Sequence, residues 1–248
     1  MIRPAGVGVS IVAGERDILL WHEIAGTVET LTVPLVEEGC RLIEGGCAPD
    51  GTPLIGSLGP DAAEGAGQLL RVSGDGSHTV LLPTVTVSNG IGFSPDGTRA
   101  YHADSPTGRV DVFTVTDTHE LVERRPFVAI AEEDGAPDGL WIDADGGIWV
   151  ALYGGSRVQR YLPSGSADET VPIPARQVTS CTFGGPDLKT LYATTSRQNL
   201  AEGDGPARRQ RLLRRGRHQG DAGHGIQAGA HRVIRPAINN NTNRRSTR

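Results

Sequence analysis

Several features of a membrane, disulfide-framed or helical-bundle protein are missing from this 248-residue chain. It has one methionine, one lysine (Lys189), three cysteines and only 4% aromatic residues. No uninterrupted apolar run reaches the roughly 18 residues a spanning helix needs, which excludes a membrane span of that kind. Cys40, Cys47 and Cys181 are too sparse and odd in number for a disulfide framework, so single buried thiols are expected. Met1 to Gly6 has no basic start followed by an apolar core, so no secretory leader is read and the expected compartment is the cytoplasm. The chain has neither a Gly-x-Ser-x-Gly elbow nor a Walker-type phosphate loop. His22, His78, His102 and His119 lack metal-ligand spacing, and His102 is expected to be a packed side chain.

Glycine and proline are plentiful. Together they number 50 of 248 residues, about a fifth against an average of roughly 12%. That excess suits many short strands joined by turns. Charge is distributed unevenly. The net charge of −5 is the sum of about −15 over residues 1–206 and about +10 over residues 207–248, where eleven arginines face a single acid, Asp221. Such a tail cannot bury enough apolar surface to offset its ordering and is expected to be disordered. It also reads as an out-of-frame translation or as a basic arm for nucleic acid.

The body repeats. Pro49-Asp50-Gly51, Pro95-Asp96-Gly97, Ala144-Asp145-Gly146 and Pro186-Asp187-Leu188 place turn aspartates 46, 49 and 42 residues apart. These are tight-turn pairs. Each is followed by a β-like run (Leu54–Leu58, Arg99–Ala103, Ile148–Leu152, Leu191–Thr194). After the first three comes a second run (Gly67–Val72, Gly108–Phe113, Ser156–Tyr161). A unit of strand, turn, strand, loop and strand, recurring every 42 to 49 residues, predicts an all-β fold of β-propeller blades. Residues 1–206 hold about 4.5 such units. Trp21, Trp141 and Trp149 are expected to pack blades together.

Seven residues before the turn aspartates stand Ile43, Asn89, Asp138 and Ser180. They are expected at the start of each innermost strand, facing the propeller axis. Asn89-Gly90 and Asp138-Gly139 put two oxygen-bearing side chains there, a candidate hard-cation site. The same pairs also read as hairpin turns.

Ser88-Asn89-Gly90-Ile91-Gly92-Phe93-Ser94-Pro95-Asp96-Gly97, Tyr101–Ser105, Val110–Phe113, Pro137-Asp138-Gly139-Leu140-Trp141 through Ala151, and Thr179–Gly185 resemble the gluconolactonase/regucalcin (senescence-marker-protein) family. The resemblance runs from about residue 8 to about 204. It implies a six-bladed propeller with one divalent cation (Ca, Zn, Mg or Mn) on the axis and hydrolysis of sugar lactones or related esters. It also implies that Asn89 and Asp138 are metal ligands, that Asp138 is the general base, and that Arg41 contacts substrate. In the family's Arg-x-Asn-Asp-Gly motif, Ile43 replaces the Asn and Glu44 the Asp. Glu44 either takes over a substrate-binding role or is a solvated loop acid. The family's Gly-Glu-Gly-Pro motif, with its ligating Glu, has no counterpart. The expectation is therefore an incomplete propeller that begins in the second blade, breaks near residue 206 and retains one axial carboxylate. Its lactonase activity is then impaired, or the chain is a non-catalytic binding module. The expected partner is a small-molecule lactone, with neither membrane nor nucleic acid; oligomeric state is left open.

Overall fold

A computed structural model describes residues 1–34, 38–198, 200, 212–215, 218 and 220. Three four-stranded antiparallel sheets follow one another in chain order. The first is β1 (Ile2–Gly6), β2 (Val9–Ala13), β3 (Ile18–His22) and β4 (Thr27–Thr32). The second is β5 (Arg41–Cys47), β6 (Pro53–Leu58), β7 (Gly67–Val72) and β8 (His78–Val85). The third is β9 (Ser88–Phe93), β10 (Arg99–Asp104), β11 (Arg109–Val115) and β12 (Leu121–Ala129). A fourth meander comprises β13 (Ala136–Ile142), β14 (Ile148–Tyr153), β15 (Arg157–Tyr161) and β16 (Ala167–Pro172). Pairing of Tyr153 with Gln177 links it to β17 (Gln177–Gly184), β18 (Thr190–Ser196) and β19 (Leu212–Arg215).

The four turns found by repeat analysis join β5 to β6, β9 to β10, β13 to β14 and β17 to β18, the first two strands of each repeating unit. Gly51, Gly97 and Gly146 take positive φ there (80°, 71° and 78°), and Leu188 fills the equivalent place at 51°. Asp96 shows how such a turn is held. Its carboxylate accepts from the Thr98 amide at 3.0 Å, the Thr98 hydroxyl at 2.9 Å and the Ser94 hydroxyl at 2.6 Å.

Four apolar layers lie between successive sheets. Ile11, Ile18 and Leu20 meet Leu42, Ile55 and Leu70. Leu54 and Leu69 meet Ile91, Phe93 and Phe113. Tyr101, Val110 and Val112 meet Leu140, Ile148 and Val150. Trp149, Ala151 and Val158 meet Val178, Cys181 and Phe183. The inner sheets are thus covered on both faces, which is why Ile148-Trp149-Val150-Ala151-Leu152 is continuously apolar rather than alternating. Burying one such side chain stabilises by about 1.5–3 kcal/mol.

This stacking of small twisted sheets is a β-propeller. Trp149 lies in an inter-blade layer and Trp141 packs against it, as expected. Trp21 does not. It lies on the outer face of the first sheet, 38% exposed, paired with the exposed Val28.

Of the Arg-rich stretch 207–248, only Leu212–Arg215, His218 and Gly220 are described. Leu212–Arg215 pairs with β18, and Gly220 bridges to Asp143. The boundary placed at residue 206 falls outside the described residues. Among the described residues, no helix is long and apolar enough to cross a membrane.

Candidate active site

The five first strands β1, β5, β9, β13 and β17 each carry an irregularity in register. One extra residue falls at Ala5, at 43–44, at 89–90, at 138–139 and at Thr179. A β-bulge leaves its extra residue unpaired and re-aims a side chain, and bulges concentrate beside active sites. On β5, β9, β13 and β17 the bulge falls six to eight residues before the turn aspartate, whereas on β1 it lies beside the hairpin; Glu44, Asn89 and Asp138 stand on such bulges.

Asn89 lies on β9 and Asp138 on β13, the first strands of neighbouring blades. Neither Asn-Gly nor Asp-Gly is a hairpin turn. Both pairs lie within strands, and their glycines serve the backbone. A Cβ on Gly90 would fall 2.4 Å from the Leu140 amide nitrogen, and one on Gly139 would fall 2.4 Å from the Ser180 hydroxyl oxygen. Adjacent inner strands approach too closely for any larger residue. The expected closeness is thus to the next blade.

Glu44 is not a solvated loop acid. It lies on β5, with a quarter of its side-chain surface open and the Arg3 guanidinium 3.8 Å away. Burial raises the Glu44 carboxyl above the usual carboxylate range, with Arg3 and Ser180 opposing the rise. Asp138 is pushed up to about 8, first by burial and then by the like charge of Glu44, against a hydrogen bond from the Gly139 amide. Two carboxylates therefore share the axial cluster, where sequence reading left one.

Arg41 stands at the exposed start of β5, three residues from Glu44. Arg3 is the residue that sequence reading missed. It enters from β1, where Gly6-Val7-Gly8 replaces the Asp-Gly signal, and its Nη2 donates to the Gly45 carbonyl at 2.9 Å.

The remaining candidates are structural. His102 is fully buried, its Nε2 2.9 Å from the Ser88 hydroxyl, and burial lowers it to about 4. Cys40, Cys47 and Cys181 are unpaired thiols; Cys40 and Cys181 are buried and Cys47 is partly so.

The donor set was tested for its fit to a hard divalent cation. Among the described residues no cluster of three or more His, Cys, Asp or Glu side chains is positioned to hold a metal. The axial cluster instead combines two carboxylates, Glu44 and Asp138, with the neutral oxygen of Asn89. All are oxygen donors, and ionising the two carboxyls is opposed by burial at both and, at Asp138, by the Glu44 charge as well. A cation would relieve that strain, and oxygen-only ligation suits Ca²⁺, Mg²⁺ or Mn²⁺. The residues fit.

A propeller with oxygen-donor side chains gathered at bulges on its inner strands defines a class of axial-site proteins. Within that class, the model of the SMP-30/Gluconolactonase/LRE-like region matches residues 1–197, and the chain belongs to this family. It is 36% identical over 167 residues to a 6-deoxy-6-sulfogluconolactonase of Pseudomonas putida, covering 67% of this chain and 57% of the relative. It is 33% identical over 211 residues to regucalcin of Xenopus laevis, covering 81% and 69%. Among solved structures, the calcium-binding protein regucalcin from Agrobacterium tumefaciens superimposes with a TM-score of 0.78 at 26% identity, over 88% of this chain and 77% of that one. The chain thus spans little more than half the length of the lactonase relative.

Proposed function

We propose that the axial cluster is the active site of a metal-dependent lactonase that opens sugar lactones or related small esters in the cytoplasm. The observation that carries this reading is the convergence of Glu44, Asn89 and Asp138 from three successive blades onto strand bulges at one level of the axis. The similarity to a sulfogluconolactonase supports the substrate class.

Asn89 and Asp138, with Glu44 beside them, would hold one divalent cation. When bound, it supplies Lewis acidity to the lactone carbonyl and charge stabilisation to the oxyanion. Asp138 is the general base. Its carboxylate takes a proton from the attacking water, and that proton is returned to the leaving ring oxygen, so a hydroxy acid results. Burial and the neighbouring Glu44 charge raise the basicity of Asp138, which suits it to accept a proton. Arg41, at the exposed start of β5, would contact substrate hydroxyls. Arg3 restrains Glu44 and offsets its charge.

Turnover of glucono-1,5-lactone and related sugar lactones, followed by acid release with added Ca²⁺ or Mn²⁺, tests the reading. The expected result is metal-stimulated hydrolysis that falls by about 10²–10⁴ in Asp138→Ala, the span typical of a lost general base. Hydrolysis indifferent to Asp138→Ala, or none with any of the cations, would favour a non-catalytic binding module.

A further inference from the structure

The end of β10 braces the start of β9 residue by residue. His102 contacts the Ser88 hydroxyl at 2.9 Å. The Asp104 carboxylate accepts from the Thr86 amide at 3.0 Å and the Val87 amide at 2.9 Å. Ser105 comes next, opening a short 3₁₀ turn, and its own amide donates to the Val87 carbonyl at 3.3 Å. The contacts thus climb from Thr86 toward Asn89.

The Ser105 hydroxyl makes two short contacts. It lies 2.5 Å from the carbonyl oxygen of Pro137 and 2.6 Å from the side-chain amide of Asn89. A serine hydroxyl has one hydrogen to give and lone pairs to receive. The Pro137 carbonyl can only accept, so that hydrogen is committed to it. The atom of Asn89 facing Ser105 must then be a donor, Nδ2. If Oδ1 faced Ser105 instead, two acceptors would meet at 2.6 Å with no hydrogen between them. The amide orientation, usually an assignment made from networks, is fixed here by the proline carbonyl.

We propose that Ser105 is a positioning residue for the axial site. Its hydroxyl, donating to Pro137 and accepting from Asn89 Nδ2, holds the Asn89 amide so that Oδ1 remains open as an oxygen ligand. Because Pro137 immediately precedes Asp138, the same hydroxyl ties the oxygen donor of the third blade to the strand bearing the carboxylate of the fourth. The inference rests on reading the axial cluster as a cation site. Groups that orient a ligand in this way typically change metal affinity by 10- to 100-fold when removed.

The test compares the full-length protein with Ser105→Ala, Ser105→Thr and Asp138→Asn. Calorimetric titration with Ca²⁺ gives affinity, and side-chain amide resonances of Asn89 in ¹⁵N-labelled protein without added cation give its orientation. Ser105→Ala is expected to bind Ca²⁺ about tenfold more weakly and to shift the Asn89 amide resonances toward those of an unrestrained amide. Ser105→Thr, which keeps the hydroxyl, restores both, and the melting temperature of all three stays close to that of the parent. Parental affinity and unchanged Asn89 resonances in Ser105→Ala would overturn the proposal. If Asp138→Asn binds Ca²⁺ as the parent does, the cation reading fails. The Asn89 resonances then still decide whether Ser105 holds the amide.

Discussion

Two aspartates five residues apart on the fourth blade have opposite surroundings. Asp143 is completely buried and fully partnered. Its carboxylate pairs with Arg160 at 2.7 Å, accepts from Trp149 Nε1 at 2.8 Å, and takes the Gly147 and Asp145 amides at 2.7 and 3.0 Å. Arg160 in turn stacks over Trp149 and pairs with Asp168. Asp138 has one backbone amide and a second carboxylate for company. One site is closed by its own fold. The other is left electrostatically incomplete, and groups kept in that condition cluster at functional sites. Asp143 is the more deeply buried of the two, yet it is Asp138 that lacks compensating partners.

The largest effect that sharpens this contrast is at Asp143. Asp143→Asn leaves the buried Arg160 without its main counter-charge, which costs about 3–5 kcal/mol. Urea unfolding should show that loss, while cation affinity of the folded fraction stays near the parental value. A small loss of stability would mean that the network around Trp149 is replaceable and that Asp143 is not the blade's anchor.

His102 gives the next effect, a buried structural group held through Nε2 alone, its Nδ1 having no hydrogen-bond partner among the described residues. It titrates at about 4 in the fold and at about 6.5 unfolded. The folded value is the lower one, so the unfolded chain binds the proton more tightly. Its contribution is complete above pH 6.5, is lost as pH falls to 4, and amounts to about 3 kcal/mol. Stability measured across that interval should fall more steeply in the parent than in His102→Gln. Parallel curves would place the acid sensitivity elsewhere.

The smallest effect has the opposite sign. Above pH 8, where Asp138 is ionised, Asp138→Asn removes a like charge beside Glu44, so without added divalent cation it should raise the melting temperature slightly. A fall comparable to that of Asp143→Asn would make Asp138 a structural residue.

Much of the propeller was legible because turn chemistry is local. Asp96 and Gly97 meet the demands of a tight turn wherever they occur, and their spacing carries the blade repeat. The outermost strands β4, β8, β12 and β16 were not read, because runs such as Thr27–Thr32 are largely exposed and polar and show no alternation to betray them. Asn89 and Asp138 could be placed by counting from the turns. Glu44 could not, because on β5 the count arrives at the apolar Ile43 and the carboxylate stands at the second residue of the bulge, where β9 and β13 carry glycine. Arg3 was hidden because its blade has no Asp-Gly turn. Ser105 was quoted within a recognised motif, but its role follows only from the proximity of the Pro137 carbonyl, a contact 32 residues away in sequence.

The central claim is that the axial carboxylates are kept incomplete in order to hold a cation. Calorimetric titration of the parent and of Asp138→Asn with Ca²⁺ and Mn²⁺ tests it most directly. The account predicts one cation per chain in the parent and binding at least about tenfold weaker in the variant, because affinity follows the number of charged ligands. Equal binding by both proteins, or no binding by the parent, would contradict it.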